Sequence, residues 1–391
     1  MDDVKFGLKL GKIITPFETI SDGLILIDNT GEIIYVGSSE DISYNDNIID
    51  LRDKTAIPGY IDIHIHGVAG VDTIEGKLDS LQKMSKFLAT KGVTSFLPTT
   101  VTSPLEMILK AVEAVRKAKL DNIRGAKIIG AHLEGPYLSK EKAGAQDIRY
   151  LREPNLDEIR EIDEKYGDAI IRVTLAPEIK GALDVIKYLT KKGYLVAIGH
   201  TNADFETTVK AINAGARLAN HIYNGMRTFH HRDPGVLGAV LTRDDIFVEM
   251  IVDDIHHHYA ARKIVLKCKG TEKVALITDA IMATGLPDGE YKLGEQKIII
   301  KNGISRLPDG TLAGSTLTMD AAVRNTFRHL DVSLNDAVKM ATYVPARILG
   351  LDHKIGQLKP GYKADITILD EPLNVYMTIV EGNIVFTSEK V

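Results

Sequence analysis

The run Ile57-Pro-Gly-Tyr-Ile-Asp-Ile-His64-Ile-His66-Gly67 constrains this chain more than any other, because an apolar, β-branched strand ends on two alternate histidines. Residues two apart on a strand share a face, so His64 and His66 point at one centre. Neutral imidazoles brought together at the rim of a buried strand are explained poorly by packing and well by a shared divalent cation. The hypothesis this raises is a metal-dependent hydrolase, and the plain alternative is a pair of hydrogen-bonded histidines at a strand end. The rest of the chain has to decide between them.

At 391 residues the chain exceeds the usual size of a single core, so two units or one large barrel with an attachment are expected. Its 44% hydrophobic and 26% charged residues are those of an ordinary globular protein. A net charge of -5, with both signs interspersed, leaves no basic stripe and argues against nucleic acid as a partner. The start of the chain lacks a charged-then-apolar leader and no apolar run reaches membrane-spanning length, so no membrane attachment and a cytoplasmic location are expected. The single cysteine, Cys268, excludes an internal disulfide and is expected to be a buried, inert thiol.

The first 50 residues alternate short β-type runs with turns, as in Gly23 to Asp28, the turn through Gly31, and Glu32 to Val36. The last 30 repeat the style, with Ala364 to Leu369, Met377 to Val380 and Ile384 to Phe386. Residues 1–55 and 351–391 are therefore expected to form one small β domain around a larger unit spanning 56–350. In that unit, strand-like runs alternate with amphipathic stretches: Ile57 to Ile63, Thr94 to Leu97, Lys127 to Leu133, Ile170 to Leu175, Tyr194 to Ile198, Leu218 to His221, Phe247 to Val252 and Val274 to Ile277. Eight βα repeats match a (β/α)8 barrel in number and size. A doubly wound open sheet is the alternative, but no glycine-rich dinucleotide fingerprint follows the first strand. Leu286 to Leu312 reads as an inserted hairpin.

In such a barrel, function sits where strands end on the C-terminal face. His64 and His66 end the first strand, Glu134 the third, His200 the fifth, His221 the sixth and Asp279 the eighth. Four histidines and two carboxylates suit Zn, Fe, Mn or Co better than Mg or Ca, which prefer oxygen shells. One partition puts His64, His66 and Asp279 on a first ion and His200 with His221 on a second, with Glu134 shared. An ion so held acidifies water toward neutral pH, and Asp279 is placed to take up a proton and return it to a leaving group.

Seven segments carry a resemblance that covers nearly the whole chain: PGYIDIHIHG, HLEGPYLSKEKAGA, IGHTNAD, NHIYNGM, HHRDPGVLGA, ITDAIMATG and LAGSTLTM. Taken in this order, they resemble the N-acetylglucosamine-6-phosphate deacetylase family of the amidohydrolase superfamily. The resemblance implies an α/β fold, a metal-bearing (β/α)8 TIM-type barrel with a small β-sandwich domain built from both chain ends, and a homodimer. It implies hydrolysis of the acetamide of an N-acetylated hexosamine 6-phosphate, with one or two divalent ions as cofactor. On that resemblance, Glu134, His200 and His221 are the principal metal ligands, Asp279 is the catalytic acid/base, and His64 and His66 add a second metal position. Asn224, Gly225 and His256 match substrate contacts, and Arg232 matches an arginine that binds phosphate across the dimer interface.

Two positions depart from the family pattern. Gln146 stands where histidine is common, replacing a possible cation with a neutral amide, and Asp254 replaces glycine, placing a carboxylate near His256. Other residues have plainer readings: His230, His257 and His258 as solvated or supporting groups, His132 as structural, and Arg232 as a surface partner of Asp233. An arginine fork suits a phosphate monoester, which favours the binding role for Arg232. Rival functions are deacetylation of the galactosamine epimer, hydrolysis of another amide, and a non-catalytic sugar-phosphate sensor on the same fold.

Overall fold

The computed structural model describes residues 4–388 apart from Ser43, Asn45 and Asn122, so Met1 to Asp3, which belong to the segment expected to carry no leader, lie outside the described residues. Eight parallel strands make the barrel: Tyr60–Ile65, Val93–Thr100, Ala131–Glu134, Ile170–Leu175, Leu195–Ile198, Leu218–Ala219, Phe247–Ile251 and Val274–Ile277. Each is hydrogen-bonded to the next in chain order. The ring closes where Ile65 bridges Ala280 in parallel. There the N–H groups of His66 and Gly67 donate to the Ala280 carbonyl at 2.9 and 3.0 Å, and the Asp279 N–H donates to the His64 carbonyl at 2.9 Å. Both faces of these strands are covered: every residue of Tyr60–Ile65, Val93–Thr100 and Val274–Ile277 is buried.

Two expected strands prove to be composite. Ile57 and Pro58 end the long strand Ile48–Pro58 of a separate sheet, and the barrel begins only at Tyr60. Lys127–Ile128 pairs with the second barrel strand, after which Ala131–Glu134 takes the third position. Between strands, helices bury one stripe and expose the other. In Leu78–Ala89, Leu81, Met84, Ser85 and Leu88 face inward while Asp79, Lys83 and Lys86 face water. Helix starts are capped by side chains that accept first-turn N–H groups, as with Asn155, Asp204 and Ser333. Helix Tyr259–Lys269 buries Arg262, Val265 and Lys269, which leaves Cys268 on its exposed face and not in the core as expected.

The two chain ends meet in a seven-stranded sheet ordered Asn383–Thr387, Asn374–Val380, Ile366–Asp370, Ile48–Pro58, Val4–Ile14, Thr19–Asp28, Ile33–Ser38. Ile48–Pro58 runs parallel to Val4–Ile14 and antiparallel to Ile366–Asp370, and so joins the two halves. The expected hairpin turns where Asp28 Oδ1 accepts the N–H groups of Thr30 and Glu32, each at 2.9 Å. The insertion after the eighth barrel strand is a three-stranded antiparallel sheet, Gly289–Leu293, Gln296–Lys301 and Ile304–Arg306. Among the described residues, no helix is long and apolar enough to cross a membrane.

The terminal sheet is pinned to the barrel by buried hydroxyls: Thr367 Oγ1 donates to the Gly92 carbonyl and Thr378 Oγ1 to the Ala89 carbonyl, both at 2.7 Å. Gly92 makes this approach possible, with φ of +75° and a position where a Cβ would stand 2.7 Å from Thr367 Cγ2. Gly92→Ala is expected to lower stability by at least about 1–2 kcal/mol, the cost of a left-handed alanine alone. Urea denaturation reads this as a lower midpoint at unchanged slope, and an unchanged midpoint would show that the junction tolerates a side chain.

Candidate metal centre

Barrel geometry brings all six expected ligands to one place. His64 and Glu134 lie within their strands, while His66, His200, His221 and Asp279 lie one to two residues past theirs, and all six are buried. Glu134 is central. Its Oε1 is 3.0 Å from His221 Nε2, 3.3 Å from His64 Nε2 and 3.5 Å from His200 Nε2, while its Oε2 is 3.3 Å from His66 Nε2. Asp279 Oδ1 is 3.3 Å from His66 Nε2 and 3.7 Å from His64 Nε2. His200 and Asp279 hold left-handed backbone, with φ of 45° and 50°, a conformation uncommon outside glycine and concentrated at functional sites.

Each ring presents Nε2 inward because its Nδ1 is held from behind. His66 Nδ1 is 3.2 Å from the Thr99 carbonyl, His200 Nδ1 2.9 Å from that of Lys142, and His221 Nδ1 3.2 Å from that of Asn224. His64 Nδ1 instead meets the Glu249 carboxylate at 3.1 Å. Metal-ligating histidines are held in this way. His132, read as structural, sits between Thr99 Oγ1 at 3.1 Å and Thr174 Oγ1 at 2.8 Å, with its ring edge-to-face against His64.

The donor set fits a divalent ion. The ligand atoms of His64, His66 and Asp279 lie within 4.8 Å of one another, as do those of His64, Glu134 and His221. The first group matches the expected partition; the second adds His64 to the expected His221, and His200 joins through Glu134. His64 Nε2 is a buried polar atom without a hydrogen bond. A ligand nitrogen aimed at an ion is the natural explanation for such an orphan. Mixed nitrogen and oxygen donors suit transition ions.

Burial opposes every charge in this cluster, and mutual attraction overcomes it. Desolvation pulls the His64 pKa down, but the Glu134 and Glu249 charges carry it up to about 9. His66 is raised well above its ordinary value against the same desolvation, by hydrogen bonds to Asp279 and Glu134. Burial pushes the carboxylates up, yet contact with His66 and the charge of His64 bring Asp279 down to about 2, and the His64 charge with the surrounding imidazoles holds Glu134 well below the usual range. Without an ion His64 and His66 thus keep protons that an ion would displace.

A cavity of about 230 Å³ opens onto this cluster, lined by His66, Glu134, His200, His221 and Asp279 together with Asn224, Gly225 and His256. Three of the four expected substrate contacts therefore lie beside the ligands. Gly225 is required where it stands, since φ is +60° and a Cβ would come within 2.8 Å of His200 Nδ1. His256 is held by Asp253, whose Oδ2 is 2.7 Å from His256 Nδ1. Arg232 lies apart on an exposed loop, with its guanidinium 2.7 Å from His231 Nε2, while Asp233 pairs with Arg227.

The two departures behave differently. Gln146 lines the cavity, but its Nε2 donates to Glu134 Oε2 at 2.6 Å and its Oε1 accepts the Thr102 N–H at 2.8 Å. Asp254 does not line the cavity beside His256 as expected: with a positive φ of 62° it turns outward to Arg262 and to His329 at 3.0 Å. His257, read as supporting, is buried between the Ile251 and Ile222 carbonyls at 2.9 and 2.7 Å, while His230 and His258 are exposed. Sequence reasoning missed Glu249, Arg172, Asn220 and Asp253, which support the ligands and His256, and Leu293, Thr311 and Leu312 of the insertion, which wall the cavity. A charged residue within each of the apolar runs Phe247–Ile251 and Ile170–Leu175 was the available signal.

The amidohydrolase family model matches residues 55–385. The N-acetylglucosamine-6-phosphate deacetylase of Vibrio furnissii is 42% identical over 365 residues, covering 93% of this chain and 91% of that one. The N-acetylgalactosamine-6-phosphate deacetylase of Escherichia coli O157:H7 is 40% identical over 327 residues, covering 84% and 86%. Among solved structures, a mutant N-acetyl-D-glucosamine-6-phosphate deacetylase from Mycobacterium smegmatis, in complex with N-acetyl-D-glucosamine-6-phosphate, superposes with a TM-score of 0.92 at 32% identity, covering 98% of this chain and 99% of that one. Barrel, ligand constellation and similarity along nearly the whole length agree, and the chain belongs to the amidohydrolase family.

Proposed function

We propose that this chain hydrolyses the acetamide of N-acetylglucosamine 6-phosphate to glucosamine 6-phosphate and acetate, a step of amino-sugar catabolism carried out in the cytoplasm. The observation that carries this reading is Asp279, set on the wall of a sugar-sized cavity within 3.3 Å of His66 and beside Asn224, Gly225 and His256. Similarity to deacetylases along most of the chain supports it.

Glu134, His200 and His221 would hold one divalent ion, and His64 and His66 with Asp279 a second; zinc, iron, manganese and cobalt all suit these donors. Such an ion, when bound, supplies Lewis acidity to the acetyl carbonyl and to water. The chain's own residues do the rest. Asp279, ionised throughout the neutral range, accepts the proton that water gives up and delivers it to the amine as the carbon–nitrogen bond breaks. His256, fixed by Asp253, presents its free edge to the sugar. Among the described residues lining the cavity there is no lysine or arginine, although a phosphate monoester calls for a cation. In our reading the molecule is a homodimer in which the exposed Arg232 of one copy serves the phosphate in the neighbouring site.

Asp279→Asn is expected to retain the ion held by Glu134, His200 and His221 while kcat falls by about 100-fold or more, since it removes proton transfer. Acetate release and elemental analysis on the same preparation check both, and normal turnover would remove Asp279 from this role. The 40% identity to a galactosamine-type deacetylase favours testing both epimers side by side, each with and without phosphate. Loss of release on removing the phosphate is expected, and Arg232→Ala should reproduce that loss as a raised KM.

Metal uptake should depend on pH in a set direction. His64, held protonated up to about pH 9 in the metal-free site, must lose that proton to bind an ion. Affinity should therefore rise with pH up to about pH 9, by about tenfold per pH unit for each displaced proton. Competition with a chelator across this range measures it, and a flat profile would contradict the assignment of His64 as a ligand.

A further inference from the structure

Arg172 and Glu249 form a buried ion pair inside the barrel, on the fourth and seventh strands, and both side chains are fully withdrawn from water. A pair buried this deeply gives little net stability, because desolvation consumes most of the attraction. Its contacts point to another role. The guanidinium donates through one nitrogen to Glu249 Oε1 and to the Ile63 carbonyl at 3.0 Å, and through the other to Asn220 Oδ1 at 2.6 Å. From Glu249, Oε2 reaches His64 Nδ1 at 3.1 Å and accepts the His221 N–H at 3.3 Å. From Asn220, Nδ2 donates to Glu134 Oε1 at 3.1 Å.

One guanidinium therefore reaches the histidine shared by both candidate ligand groups and the central carboxylate. The other three ligand histidines rest on main-chain carbonyls, which the fold itself fixes. Among the ligand histidines, His64 depends on a side chain, and that side chain depends on Arg172. We infer that Arg172 and Glu249 are positioning residues of the metal centre: Arg172 orients the Glu249 carboxylate, and Glu249 holds His64 with its hydrogen on Nδ1 and its Nε2 lone pair toward the ion. The inference rests on the metal-centre reading above.

The chemistry demands an acceptor on both sides of residue 249. Arg172 donates to one oxygen, and His64 and the His221 N–H donate to the other. A glutamine there sets its NH2 against a donor whichever way it turns. Facing His64, that group favours the tautomer with hydrogen on Nε2, which cannot bind metal.

Cobalt titration of the chelator-treated full chain, followed by its visible absorption, tests this with Glu249→Gln, with the double variant Arg172→Met/Glu249→Leu, and with His64→Asn as reference. Both variants should weaken by about 10–100-fold the binding step that His64→Asn removes, as expected for loss of a group that orients a ligand. The double variant exchanges a buried ion pair for apolar groups and should unfold at or above the wild-type temperature, which separates positioning from a collapsed fold. Wild-type cobalt affinity and spectrum in both variants would overturn the inference. A wild type that takes up no cobalt would overturn the metal centre itself, and the inference with it.

Discussion

Closure of the parallel sheet, made where the Asp279 N–H donates to the His64 carbonyl and the His66 N–H to that of Ala280, is the constraint on which the site depends. The candidate ligands at the ends of the first, third, fifth, sixth and eighth strands converge only if those strands surround one axis. An open sheet with the same strands would lay His64 and Asp279 at opposite edges. The closing bonds join the two residues directly, so the first and eighth strands meet in the register that places Asp279 beside both His64 and His66.

Within the closed barrel, electrostatics govern the arrangement. Two carboxylates and four imidazoles sit almost wholly buried beside the cavity, where each charge would be expensive alone. They persist because each answers another: the carboxylates hold His64 and His66 protonated, and the charge and hydrogen bonds of these two histidines help hold Glu134 and Asp279 ionised. The same balance prepares the site for an ion, which replaces several protons with one denser charge. Supporting groups then divide by origin. Main-chain carbonyls orient His66, His200 and His221, while Glu249 orients His64 and Gln146 and Asn220 orient Glu134.

Much of this was legible in the chain because barrel strands announce themselves as short apolar runs, and a polar residue at their C-terminal ends has a functional face to serve. His64, His66, Glu134, His200, His221 and Asp279 stand out in that way as candidates, and the fold brings all six together. Strand limits blurred where apolar character ran through a change of sheet, as at Gly59, since hydrophobicity marks burial and not the partner strand. Residues whose meaning depends on a distant contact stayed hidden. Arg172 and Glu249 lie 77 positions apart, and only the folded barrel brings them together. The direction of Asp254 was misjudged because one left-handed residue turns its side chain away from its neighbours, and Cys268 because one helical step separates the buried stripe from the exposed one.

The central claim is that these strand ends bind a divalent ion on which hydrolysis depends. Crystals of the metal-replete protein, measured on both sides of the absorption edge of the ion it retains, test this most directly. The expected result is an anomalous peak within about 2.0–2.2 Å of the Glu134 carboxylate and of Nε2 of His200 and His221. A peak held by other side chains, or none in protein that still releases acetate, would contradict the account.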